Sequence, residues 1–251
     1  MSALAGRPAP WAGALRVTWC YAHGMCGRAR LVASGDDLAE IFGVDIGRVA
    51  PFEPRRNLAP TDPFVCVVQS ADGARSIVTK RWGMRPPTTS RGTGYFNARA
   101  ETVATNGMFR GSFERRRCAM VADGFYEWAA EGKKKIPRLF TVGPAARPFA
   151  MAGIYREDAC AVLTRAAAGV VEAVHDRMPV ILAPDDVAPW LAEETNAEVL
   201  AAILARSLTD LGVEVLDRVP LDAPPKPRRQ LDMFASEPVR RESAGMETRR
   251  R

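Results

Sequence analysis

Cys26 directly follows Met25, and an initiator methionine is normally removed when the next residue is as small as cysteine. Removal leaves a 1,2-aminothiol. Its α-amine ionises near pH ~8, so an appreciable fraction is a free nucleophile at neutral pH. The amine condenses with an aldehyde to a Schiff base, and the thiol adds to the same carbon to close a five-membered thiazolidine, a ring closure favoured by proximity. An internal cysteine lacks the amine. The same amine and thiol also suit acyl transfer, the chemistry of N-terminal-nucleophile hydrolases acting on peptides or amides. Two further residues can move protons. Glu127 lies in the aromatic-flanked run Ala122-Asp123-Gly124-Phe125-Tyr126-Glu127-Trp128, where partial burial raises a carboxyl pKa. Taken alone, it better fits a surface glutamate at a strand end. His175, in Val174-His175-Asp176-Arg177-Met178-Pro179-Val180, can shuttle protons, or be a structural histidine beside a turn.

These residues need a scaffold. Ser34 before Asp36-Asp37-Leu38-Ala39-Glu40-Ile41-Phe42 and Gly43 reads as a short capped helix. Apolar, β-branched runs at 64–68, 76–79, 119–121, 138–142, 150–154, 159–164 and 213–216 read as strands. Turn clusters rather than regular helices separate them, which argues against a βαβ parallel sheet. Residues 195–205, with Val199, Leu200, Ile203 and Leu204 on one face, form the clearest amphipathic helix. The fold class is α+β, with a mainly antiparallel sheet or barrel-like core and flanking helices.

Residues 1–24 carry Arg7 and Arg16, no acidic residue and no periodicity. They read as a removable extension or as the product of a start codon set too far upstream, Met25 being the initiator. The folded domain is expected over 25–222. From 223 to 251, Pro224, Pro225, Pro227, Arg228-Arg229 and Arg249-Arg250-Arg251 predict a disordered basic tail. A net charge of +6 and a pI of 9.3 favour an anionic partner such as nucleic acid. Five widely spaced cysteines without a C-x-x-C pair, and only two histidines, suit a reduced cytoplasmic setting and argue against structural zinc. No apolar run approaches transmembrane length.

Met25-Cys26-Gly27-Arg28, Arg56-Asn57-Leu58-Ala59-Pro60-Thr61, Arg81-Trp82-Gly83-Met84, Asn97-Ala98-Arg99-Ala100-Glu101-Thr102, the 122–128 run and His175-Asp176-Arg177-Met178-Pro179 together resemble the SRAP (SOS response-associated peptidase) family of abasic-site processing proteins. The resemblance runs from Met25 to about Leu182, and more weakly to Asp222. It implies that Cys26 is the nucleophile toward the aldehyde of an abasic deoxyribose in single-stranded DNA. Asn97 would position it, and Glu127 and His175 would transfer protons, with no metal or organic cofactor. It implies further that Arg28, Arg99 and Arg177 hold phosphates flanking the lesion. Trp82 with Gly83 would form a wedge near a single-strand to duplex junction. Arginine forks and an aromatic platform suit such DNA physically. The family name reflects autoproteolytic release of whatever precedes the cysteine, the alternative to a start at Met25. Two departures stand out. Ala29 replaces the usual aromatic after the first motif, and Arg85-Pro86-Pro87 replaces a second tryptophan, so base stacking is expected to differ.

In the tail, Gln230-Leu231-Asp232-Met233-Phe234 resembles the pentapeptide that bacterial proteins dock on the replicative sliding clamp, its aliphatic and aromatic anchors suiting an apolar groove. A chance pentapeptide is the competing reading. Besides the hydrolase, a non-catalytic basic DNA-binding module also remains open. The expected state is a cytoplasmic monomer at replication forks, with no membrane association.

Overall fold

A computed structural model of the protein describes residues 27–89, 91–143 and 146–222. Along the chain run β1 (Ala29–Leu31), α1 (Gly35–Phe42), β2 (Arg55–Leu58), β3 (Pro63–Gln69), β4 (Arg75–Trp82), β5 (Asn97–Arg99), α2 (Arg110–Arg115), β6 (Arg117–Ala122), β7 (Gly124–Glu131), β8 (Lys134–Val142), β9 (Phe149–Arg156), β10 (Ala159–Ala166), β11 (Arg177–Pro179), α3 (Pro184–Leu191), α4 (Ala197–Ala205) and β12 (Leu211–Val215). The expected α+β class holds. One sheet has the order β12-β8-β7-β1-β2 and the other β11-β10-β4-β3-β6-β9, with β5 beside β10. Because β9 pairs with both β6 and β10, the second sheet curls on itself around the core. Among the named strands the parallel pairings are β10 with β4 and β10 with β5.

Local chemistry explains the elements that the sequence announced. At the start of α1, Ser34 Oγ accepts from Asp37 N–H (3.2 Å) and the Asp37 carboxylate accepts from Ser34 N–H (3.0 Å), a reciprocal capping box. Gly43 ends the helix at φ +60°, a conformation that glycine adopts without strain. Each of the seven expected strands coincides with a strand of the fold. Among the elements missed were β7, whose first six residues are mostly buried and so show no alternation, and α3, disguised by Pro189 in its interior.

Two buried charged residues tie distant segments together. Asp123 sits where β6, in the curled sheet, passes into β7, in the other. Its carboxylate accepts from Arg30 Nε (2.5 Å) and Val32 N–H (2.6 Å), while its own N–H donates to Arg30 O (2.9 Å). This laces β1 to the corner. Arg117 donates to the carbonyls of Phe113 (2.7 Å), Glu114 (2.6 Å), Trp190 (2.8 Å), Glu193 (3.3 Å) and Ala192. It thereby satisfies carbonyl groups that the ends of α2 and α3 leave open.

Cys66, Cys118 and Cys160 are free and buried, on β3, β6 and β10. Burial pushes the Cys118 and Cys160 thiols well up. All three are 0% exposed, so a reagent in solvent cannot reach them and they are packing residues. A Cys20→Ser/Cys26→Ser protein should therefore leave an aromatic disulfide reagent unreacted while folded and consume three equivalents in denaturant, one for each buried thiol. Rapid labelling of the folded form would contradict that packing.

Candidate active site

The expected residues gather in two groups, one on each sheet. In the first, Tyr126 N–H donates to Arg28 O (3.0 Å), and Ala29 pairs with Phe125. The chain entering β1 is thus held against β7 immediately before Glu127. Glu127 is 5% exposed and lies opposite Arg138 of β8. It is a buried mid-strand residue, neither on the surface nor at a strand end. The Arg138 guanidinium pairs with Glu131, and Tyr126 OH reaches past β1 to β2 by donating to Arg56 O (2.8 Å). Arg28 is partly buried. Cys26 lies outside the described residues, as do Gln230, Leu231, Asp232, Met233 and Phe234.

The second group surrounds the end of β10. On one side Asn97 pairs with Val162 and Arg99 with Thr164. On the other, Arg177 pairs with Ala166. Ala98 is buried at 2%, so strand alternation sends Asn97 and Arg99 to the opposite face. Arg99 is exposed and Asn97 half-buried. His175 precedes β11. Its Nδ1 accepts from Arg177 N–H (3.1 Å) and lies 2.7 Å from Asp176 Oδ1. The first contact needs Nδ1 bare and the second needs it protonated, so the ring has a ready partner in either state. That arrangement suits a proton carrier.

Arg177 is more tightly engaged than the sequence suggested. Its Nη1 and Nη2 grip both oxygens of Glu101, the second at 2.8 Å, and Nη2 also donates to Thr164 O (2.6 Å) and Oγ1 (3.2 Å). Glu101 and Thr164 were not foreseen, although Glu101 stands within the 97–102 motif. The Arg177 guanidinium draws the Glu101 carboxyl down to about 2. The sign follows from linkage. A depressed carboxyl stabilises the fold above its unfolded value, near 4.5, and the contribution is lost as pH falls toward 2. The difference in Tm between the wild-type chain and Glu101→Gln should therefore be constant above pH ~5 and shrink between about 4.5 and 2. Thermal scans across that range would check it; a difference independent of pH would contradict the pairing.

Trp82 departs from its expected role. The ring is 1% exposed, donates through Nε1 to Phe96 O (2.9 Å), and packs edge-on against Phe64 and Phe96. A ring so enclosed offers no face to a base, because core packing has claimed it. Gly83 holds its place by backbone geometry: at φ +134°, a Cβ would lie 2.2 Å from Thr93 O. The accessible aromatic beside this backbone is Tyr95, 43% exposed. Two hydrogen bonds tie it to Met84, at 2.8 and 3.0 Å. Nothing in the sequence singled it out. Among the described residues no helix is long and apolar enough to cross a membrane, and no group of three or more His, Cys, Asp or Glu is placed to hold a metal.

The abasic site processing protein YoaM of Bacillus subtilis is 34% identical over 196 residues, covering 72% of this chain and 85% of YoaM. The abasic site processing protein YedK of Escherichia coli is 30% identical over 194 residues, covering 72% of this chain and 86% of YedK. A crystal structure of a phage-related protein from Bordetella bronchiseptica superposes with a TM-score of 0.65 at 25% identity, covering 77% of this chain and 95% of the other. The SOS response associated peptidase (SRAP) family matches residues 25–218, and the chain belongs to that family.

Proposed function

We propose that this protein captures abasic sites in single-stranded DNA through Cys26, exposed as the N-terminus by initiation at Met25 or by self-cleavage before the cysteine. Glu127 donates a proton to the ring oxygen of the closed deoxyribose as its bond to the anomeric carbon breaks, and the anomeric hydroxyl gives its proton to water, freeing the aldehyde. The Cys26 amine attacks the aldehyde carbon and water leaves, giving the Schiff base. The thiol sulfur then adds to the same carbon, its proton passing to nitrogen, and the thiazolidine closes. His175 relays protons during the loss of water, and Asn97 orients the opened sugar. Arg28, Arg99 and Arg177 take the phosphates. With the Trp82 ring in the core, stacking against bases falls to Tyr95. Gln230, Leu231, Asp232, Met233 and Phe234 dock the monomeric, cytoplasmic protein on the sliding clamp, and their deletion should abolish clamp pull-down.

The observation that carries this reading is the bond from Tyr126 N–H to Arg28 O, which ties the segment following Cys26 to the strand holding the buried Glu127. The names of the relatives supply the substrate class. Incubation with single-stranded DNA containing one abasic site tests it. The chain beginning at Cys26 should give a heat-stable adduct mapping to residue 26, and the chain retaining residues 1–25 should give none. An active form with those residues intact would refute the N-terminal chemistry. Peptide cleavage without DNA would favour the hydrolase, and salt-sensitive binding indifferent to the lesion would favour a simple DNA-binding module.

A further inference from the structure

Arg177 cannot grip a phosphate as it stands. A guanidinium presents five N–H donors. Here the Nη1 and Nη2 edge is occupied by both Glu101 oxygens, and Nη2 is shared further with the Thr164 carbonyl and hydroxyl. Nε is buried away from any partner. The fork geometry that would receive a phosphodiester is therefore filled by a carboxylate. Thr164 is 1% exposed and fixed in β10, so the arginine stays where it is. Glu101 differs: its side chain is 49% exposed, and it sits in the turn after β5. Glu101 also lines a cavity of about 310 Å³, together with Ala100, Arg165, Ala166 and Leu204. Arg165 there spends Nη1 on the Ala205 carbonyl (3.0 Å) and is an alternative cation for a departing carboxylate.

We propose that Glu101 is a displaceable stand-in for a DNA phosphate: it holds the Arg177 fork ready in the free protein and yields it, turning toward Arg165, when a phosphodiester arrives. This rests on the reading that the chain binds single-stranded DNA. The swap exchanges one anion for another on the same fork, so it costs affinity and buries no unpaired arginine at either stage. Its consequence is selectivity. A strand engaging Arg177 alone gains little over Glu101, whereas a strand also held at Arg28 and Arg99 gains enough to displace it.

The test uses the full chain and a single-stranded oligonucleotide carrying a tetrahydrofuran abasic analogue, which has no aldehyde and so reports binding alone. In fluorescence anisotropy, Glu101→Gln should tighten Kd roughly two- to fivefold, the scale of one partly exposed ion pair. Arg177→Gln should weaken it, and Glu101→Gln/Arg177→Gln should match Arg177→Gln. Arg165→Gln should weaken binding by the wild-type chain but not by Glu101→Gln. If Glu101→Gln binds no better than wild type, Glu101 is a brace and the proposal is wrong. A gain that survives Arg177→Gln reflects general charge and also overturns it. Absence of binding by every form, wild type included, removes both this proposal and the reading beneath it, whereas wild-type binding with no gain in Glu101→Gln removes the proposal alone.

Discussion

Glu127→Gln should slow crosslinking to abasic single-stranded DNA by about 10²- to 10⁴-fold, the usual range for loss of a positioned general acid. Cys26→Ala should give no adduct at all. Glutamine keeps the shape of the side chain at a position that is 5% exposed, so packing changes little, but it has no proton to give the sugar ring oxygen. The defect should be confined to the ring-opening step. Binding of the tetrahydrofuran oligonucleotide should be unchanged. Reaction with a simple aldehyde that has no ring to open should proceed equally in Glu127→Gln and wild type. Single-turnover gels at saturating DNA measure the rate. Equal slowing with the simple aldehyde would move Glu127 from opening the sugar to closing the thiazolidine.

Asp123→Ala should cost about 3–5 kcal/mol of stability, because a buried ion pair is broken on one side only. Asp123 is 1% exposed, and its Arg30 partner keeps only 17% of its side chain in solvent. Removal leaves Arg30 Nε and the Val32 N–H without their carboxylate acceptor. At roughly 2–4 °C per kcal/mol for a chain of this size, Tm should fall by about 6–20 °C. The damage is placed to matter for chemistry as well, since Asp123 laces β1, the strand that follows Cys26, to the corner from which β7 and Glu127 emerge. Crosslinking by Asp123→Ala should therefore fall even well below its lowered Tm. Glu114→Ala provides the contrast. Its pair with Arg110 is solvent-exposed at 3.8 Å, and its loss should stay within about 0.5 kcal/mol. Urea unfolding of the two variants side by side decides the comparison; similar values would mean that the Asp123 pair contributes no more than a surface bridge.

The elements that could be read from the chain are those stabilised by neighbours in sequence. The Ser34–Asp37 capping box and Gly43 bound α1 locally, and the apolar runs of β3, β4, β6, β8, β9, β10 and β12 announce themselves by composition. The very short β1, β5 and β11 exist only because a longer strand lies beside them, so no pattern in their few residues could reveal them. Trp82 shows the same limit from the other side. Its motif suggested a surface wedge, but whether an indole faces a base or the core depends on Phe64 and Phe96, which reach it through the fold.

The reactivity expected of Cys26 was legible because it is covalent: an amine and a thiol on one residue need no partner from elsewhere in the chain. The sequence by itself thus determined the family, and it carries the chemistry proposed for Cys26. Only the tertiary structure decided that Glu127 is buried in a strand, that the Trp82 ring is enclosed, and that Arg177 is held by Glu101, 76 residues away along the chain. Such facts depend on burial and on pairings between distant residues, which arise when sheets close over one another and are encoded in no local run of side chains.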